Sequence, residues 1–100
     1  MATTRQQVAQ ANQALTRALV VAATQGQRAP CSDLAIRDHW TSERETERRQ
    51  AARWCIEWQC PVLTECGQAA EANDERWGVW GAVDRSVRPG KKLQRQSEAA

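Results

Sequence analysis

The sequence predicts an all-α fold: a small bundle of about four short helices around four cysteines, followed by a Gly/Trp turn and a flexible basic tail. Three observations carry this expectation. Apolar residues recur at three- and four-residue steps and nowhere alternate with a period of two for long, so helices are expected and a sheet is not. Three of the four cysteines crowd between Cys55 and Cys66, at the expected end of one helix and start of the next. Finally, a chain of 100 residues with five Trp and no Phe or Tyr can bury only a thin core, which gains from a metal or a covalent staple.

Taken in order, residues 3 to 24 read as a first helix. Val8, Ala11, Leu15, Ala18 or Leu19, and Ala22 form one apolar stripe, with Gln and Arg opposite and Gly26 as the stop. Residues 25 to 30 link this helix to Cys31. Ser32 or Asp33 is placed to cap a short helix bearing Leu34 and Ile36. Ser42 and Glu45 fit a capping box for a third helix that runs to Trp58, with Ala51, Ala52, Cys55 and Trp58 on one face. Its Glu43–Arg49 portion reads as a solvated face with i,i+4 ion pairs. Pro61 suits the first turn of a fourth helix ending near Asn73, on which Val62, Cys66, Ala69 and Ala70 point the same way. Gly78 and Gly81 bracket a turn, and a basic tail follows. The chain thus divides into an N-terminal helix (1–26), a cysteine domain (27–83) and a tail (84–100).

Charge follows this division. The net charge of +2 combines a basic N-terminal third with a middle of six arginines against ten carboxylates and a tail of five basic and two acidic residues. A basic tail beyond an acidic body suits an anionic partner, most often nucleic acid, and Arg85, Arg88, Lys91, Lys92 and Arg95 could neutralise phosphates. A solvated tail without a partner fits the same composition. Mean hydropathy is −0.72, and no apolar run reaches the length of a membrane span. The opening MATTRQQVAQ lacks the layout of a secretory signal. These features predict a cytoplasmic protein.

That compartment favours metal or redox chemistry over disulfides for the four cysteines. The pattern is Cys31–x23–Cys55–x4–Cys60–x5–Cys66. Four thiolates satisfy tetrahedral zinc or an iron–sulfur cluster alike. Structural zinc sites typically use C-x2-C knuckles, which are missing here, and the wider gaps suit a cubane whose corners each take one thiolate. Two disulfides or four buried thiols are the plainer alternatives. His39, the sole histidine, is expected at the surface. There is no Ser/His/Asp set, phosphate loop or convincing carboxylate pair, so no hydrolytic enzyme is expected.

The segment Cys60-Pro-Val-Leu-Thr-Glu-Cys66, followed by Gly78-Val-Trp-Gly-Ala82, resembles the WhiB-like family of actinobacterial regulators over residues 28–95. The lone early cysteine, the three clustered ones, the turn and the basic tail come in the family's order. Two departures stand out. Four residues (Ile56, Glu57, Trp58, Gln59) separate Cys55 from Cys60 where the family has two, and the turn ends in Ala82 in place of Gly.

The resemblance implies a 4Fe–4S cluster on Cys31, Cys55, Cys60 and Cys66, responsive to nitric oxide or oxygen. It implies binding to the C-terminal region of the principal sigma factor through Gly78, Val79, Trp80 and Gly81, and promoter contact through Arg85, Arg88, Lys91, Lys92 and Arg95. Trp40, Trp54 and Trp58 are expected in the core or shielding the cluster. Two other readings compete: a zinc-stapled interaction module, and a disulfide reductase acting in the cluster-free form. The lack of a C-x-x-C pair weakens the latter.

Overall fold

A computed structural model describes residues 3–86 of the chain. Three α-helices carry the fold: α1 (Arg5–Thr24), α2 (Glu45–Glu57) and α3 (Leu63–Ala72). Where the sequence predicts a further short helix, the chain instead makes two 3₁₀ turns, Pro30–Ser32 and Arg37–Thr41. Asp33 does not cap a helix there. Its carboxylate accepts from the Ala35 N–H in a tight Asx turn, and Leu34 is left 76% exposed, so no apolar stripe exists to dock a helix at that point.

The sequence-based exclusion of a sheet is corrected as well. Val79–Trp80 (β1) pairs antiparallel with Val83–Asp84 (β2), Trp80 opposite Val83. Strands of two residues leave no alternation to read. Between them Gly81 and Ala82 both hold positive φ, +59° and +68°, as a two-residue type I′ hairpin loop demands.

The capping box lies elsewhere than expected. On α1, Thr4 Oγ1 accepts from the Gln7 N–H while the Gln7 side chain accepts from the Thr4 N–H. At α2 the cap position is Arg44. Ser42 Oγ there accepts from the Arg44 N–H and donates to the Glu47 carboxylate.

All three helices end in the same way, with a left-handed residue whose neighbours bond back into the last turn. Gly26 serves α1 as predicted, whereas Gln59 (φ +49°) and Asp74 (φ +53°) serve α2 and α3 without the freedom of glycine. After α2, the Cys60 N–H donates to the Cys55 carbonyl at 3.0 Å and the Gln59 N–H to that of Ile56 at 3.1 Å.

Helix α1 lies on α3, with Ala22 buried, the rest of its predicted stripe half-buried and Leu19 43% exposed. Ala69 and Ala70 of α3 are almost fully buried. Small side chains let the two helices approach closely, and Asn73 Nδ2 donates to Asn12 Oδ1 across the seam. The main core lies on the other side, where Trp40, Ala51, Cys55 and Val79 pack with Ile36, Trp54, Leu63 and Ala82.

Arg48 corrects the reading of α2 as a solvated face. The Arg49–Glu45 i,i+4 pair is present at 3.0 Å, but Arg48 is only 6% exposed. Its Nε donates to both oxygens of Asp84, its Nη1 donates to the Ser42 carbonyl, and its guanidinium carbon lies 4.8 Å from the Trp77 ring centroid. A buried charge satisfied on three sides clamps α2 to the hairpin. His39 is likewise not at the surface: it is half-buried, its Nδ1 lies 3.0 Å from the Ile36 carbonyl oxygen, and its ring packs on Trp54.

Candidate metal centre

The four cysteines arrive from three places. Cys31 stands in the first 3₁₀ turn, Cys55 in the last turn of α2, Cys60 just beyond its end, and Cys66 in the first turns of α3. The four-residue gap between Cys55 and Cys60 is the helix-ending turn itself. By reversing the chain at Gln59 it brings the Cys60 backbone onto the Cys55 carbonyl. The additional residues are absorbed without carrying Cys60 away from the other cysteines.

All four cysteines line one small enclosed cavity of about 30 Å³, together with Pro30, Trp40, Val62, Leu63, Val79 and Gly81. All four are free thiols. Cys55 is buried and Cys60 and Cys66 half-buried, while Cys31 is exposed as a residue yet turns its thiol to the shared cavity. Among the described residues no three His, Cys, Asp or Glu side chains converge closely enough to hold a single metal ion. The thiols surround a space instead.

N–H groups point at several of the sulfurs, the Val62 backbone at Cys60 among them. The Trp40 indole donates to Cys55 Sγ at 3.4 Å, and the Gly81 backbone N–H donates to Cys66 Sγ at 3.2 Å. Donors of this kind stabilise thiolate ligands and tune the potential of any cluster they hold. Four free thiols with an apolar wall and sulfur-directed donors therefore suit a thiolate-bound cluster.

In the metal-free protein the same surroundings disfavour charge on sulfur. Cys31 is pushed up to about 11, chiefly by removal from water and then by the charge that Cys66, Cys60 and Cys55 carry when ionised. Cys60 and Cys66 are also raised, with desolvation the main cause in each. The Gly81 N–H opposes that rise at Cys66. A metal that replaces the protons removes this penalty, so metal binding and thiol ionisation are coupled.

Among the residues assigned to a sigma contact, Gly78 and Val79 are buried, and Trp80 and Gly81 half-buried. Trp80 Nε1 donates to the Trp77 carbonyl. Trp77 is the more exposed of the two indoles, at 48%, and donates to the Thr41 carbonyl. Of the residues assigned to DNA, Arg85 folds back over α3, with Nη1 3.9 Å from a Glu71 carboxylate oxygen. Arg88, Lys91, Lys92 and Arg95 lie outside the described residues.

Trp40 lies in the core beside the cysteines as expected, but sequence reasoning missed its bond to Cys55 and the roles of Gln59 and Arg48. Each acts through a partner distant in sequence or through a backbone angle, and neither leaves a local pattern.

Part of the chain is 39% identical to the transcriptional regulator WhiB of Streptomyces coelicolor over 46 residues, which is 46% of this chain and 51% of that protein. The chain thus spans about half the length of the curated relative it matches. No solved structure gives a significant match. The family model described as transcription factor WhiB matches residues 25–90, which include all four cysteines and the turn. By that match the chain belongs to the WhiB family.

Proposed function

We propose that this chain is a redox- or nitric-oxide-responsive transcription regulator. In this reading Cys31, Cys55, Cys60 and Cys66 hold a 4Fe–4S cluster, the Gly78–Gly81 turn contacts the principal sigma factor, and the basic tail from Arg85 onward touches promoter DNA. The observation that carries it is the hydrogen bond from the Gly81 N–H to Cys66 Sγ, which joins the turn to the cysteine site directly. A cluster bound there supplies a centre that small oxidants or nitric oxide can dismantle. The protein's own residues do the rest. The four thiols hold the helix ends together, and the turn rests on one of them, so loss of the staple loosens the surface offered to a partner.

The zinc-stapled alternative is less well supported, because the thiols surround a cavity without converging on one point. The disulfide-reductase alternative fits poorly with thiols pushed upward, since attacking cysteines have lowered values. Anaerobic purification with a visible spectrum and iron, sulfide and zinc analysis tests the centre. Iron and sulfide in near-equal amounts with a brown colour are expected, and a colourless protein with stoichiometric zinc would overturn the reading. Co-expression with the host's principal sigma factor tests the turn: Trp80→Ala is expected to abolish co-purification.

A further inference from the structure

Three tryptophans stand in line between the surface and the cysteine site. Trp58 stacks on Trp54 with ring centroids 5.3 Å apart and planes 17° from parallel. Trp54 stacks on Trp40 at 5.8 Å and 28°. Trp40 closes the line with its 3.4 Å indole N–H bond to Cys55 Sγ. Exposure falls along it, from 51% at Trp58 through the half-buried Trp54 to 6% at Trp40. Packing alone does not account for the outermost ring, which leaves half its surface in water.

We propose that Trp58, Trp54 and Trp40 form a relay that carries one-electron oxidising equivalents from solvent to Cys55. The inference rests on the redox reading of the cysteine site. Indole is among the most easily oxidised side chains, and this sequence contains no Tyr to compete with it. Electron tunnelling weakens exponentially with distance, so short steps between stacked rings outrun a single long jump. Both centroid spacings fall in the range of offset-stacked aromatic pairs. Sulfur yields an electron more readily than indole, so the oxidising equivalent moves inward.

The balance is simple. A one-electron oxidant at the surface takes an electron from Trp58 and is itself reduced. Trp54 refills Trp58, Trp40 refills Trp54, and Cys55 refills Trp40. In the metal-free protein the Cys55 thiol gives up that electron and releases its proton to solvent. A second such event at a neighbouring cavity thiol allows a disulfide to form, so two electrons and two protons leave per bond made. The relay lets the site answer oxidants too large for a cavity of about 30 Å³.

The test uses the full, reduced, metal-free chain and photogenerated ruthenium(III) tris-bipyridine as the bulky oxidant. The readouts are decay of the indole radical absorption and the count of remaining thiols. In the wild type the radical should decay at a rate independent of protein concentration while thiols are lost. Trp54→Phe should abolish most of the thiol loss and leave a long-lived radical, because a phenyl ring does not accept the oxidising equivalent. Trp58→Phe, at an exposed position that tolerates the change, should reduce thiol loss in a protein of unchanged circular dichroism. Cys55→Ser should leave the radical long-lived. Thiol loss in both Trp variants equal to that of the wild type would overturn the proposal, as would a wild-type radical that persists as long as in Cys55→Ser. Diamide, which oxidises thiols without passing through indole, reports on the site separately. Thiols untouched by diamide in every variant would count against the redox reading of the site, while the radical decay still judges the relay.

Discussion

Gly81 lies against Gly67 so closely that a Cβ on Gly81 would sit 2.8 Å from both the Cα and the N of Gly67, and 3.0 Å from the Leu63 carbonyl oxygen. The hairpin loop therefore rests on the backbone of α3, one residue from Cys66, whose sulfur accepts the Gly81 N–H. Neither neighbour is a flexible side chain that could move aside.

From this contact, Gly81→Ala should be costly even in the metal-free protein. Backbone overlap and the positive φ act together, and a loss of about 3 kcal/mol is expected in urea unfolding. Gly67→Ala is the contrast. A Cβ there meets only Arg85 Nη2 at 3.7 Å and the Gly81 Cα at 3.9 Å, so little loss is expected.

Two positions carry the opposite prediction. Gln59 and Ala82 hold left-handed backbone without being glycine. Gln59→Gly and Ala82→Gly should each stabilise the protein by about 0.5–1 kcal/mol, the left-handed penalty relieved less the added freedom of the unfolded chain. Thermal unfolding should show each variant melting a few degrees higher.

The Arg48–Asp84 pair predicts strong coupling. Asp84→Asn leaves the buried guanidinium without its counter-charge, and a loss of about 3–5 kcal/mol is expected. In a double-mutant cycle with Arg48→Met, the combined loss should fall well short of the sum of the two single losses.

Stability of the reduced, metal-free protein should depend on alkaline pH. Cys31 is raised from its ordinary value of 9.0 to about 11, so the folded state favours the protonated thiol. That contribution is fully present below pH 9, where folded and unfolded chains are both protonated. It is lost as pH rises toward about 11, because the unfolded chain ionises first. The urea midpoint should fall across this window, and Cys31→Ser should flatten the fall.

Much of the site was legible from residue spacing. The four cysteines, the Gly26 stop, the apolar stripe of α1 and the buried face of α3 are each written in short-range pattern. The Glu43–Arg49 run shows where that legibility ends. Its charges read alike in sequence, yet Arg49 pairs on the surface with Glu45 while Arg48 turns inward to Asp84, 36 positions away. The Ser42 cap went astray for a related reason, since a hydroxyl can satisfy several nearby groups and packing selects Arg44 and Glu47.

The sequence by itself therefore determined the four-cysteine set and the helical elements that deliver it, because both depend on residue type and on periods of three to five residues. Only the tertiary structure decided how those cysteines are arranged and supported. Cys60 is drawn back to Cys55 by a left-handed Gln59, the hairpin is joined to Cys66 through the Gly81 N–H, and Trp40 reaches the sulfur of Cys55 at the head of a tryptophan stack. These relationships come from backbone angles and from contacts between residues far apart in the chain. Their energies exist only once the elements have packed, so no local pattern records them.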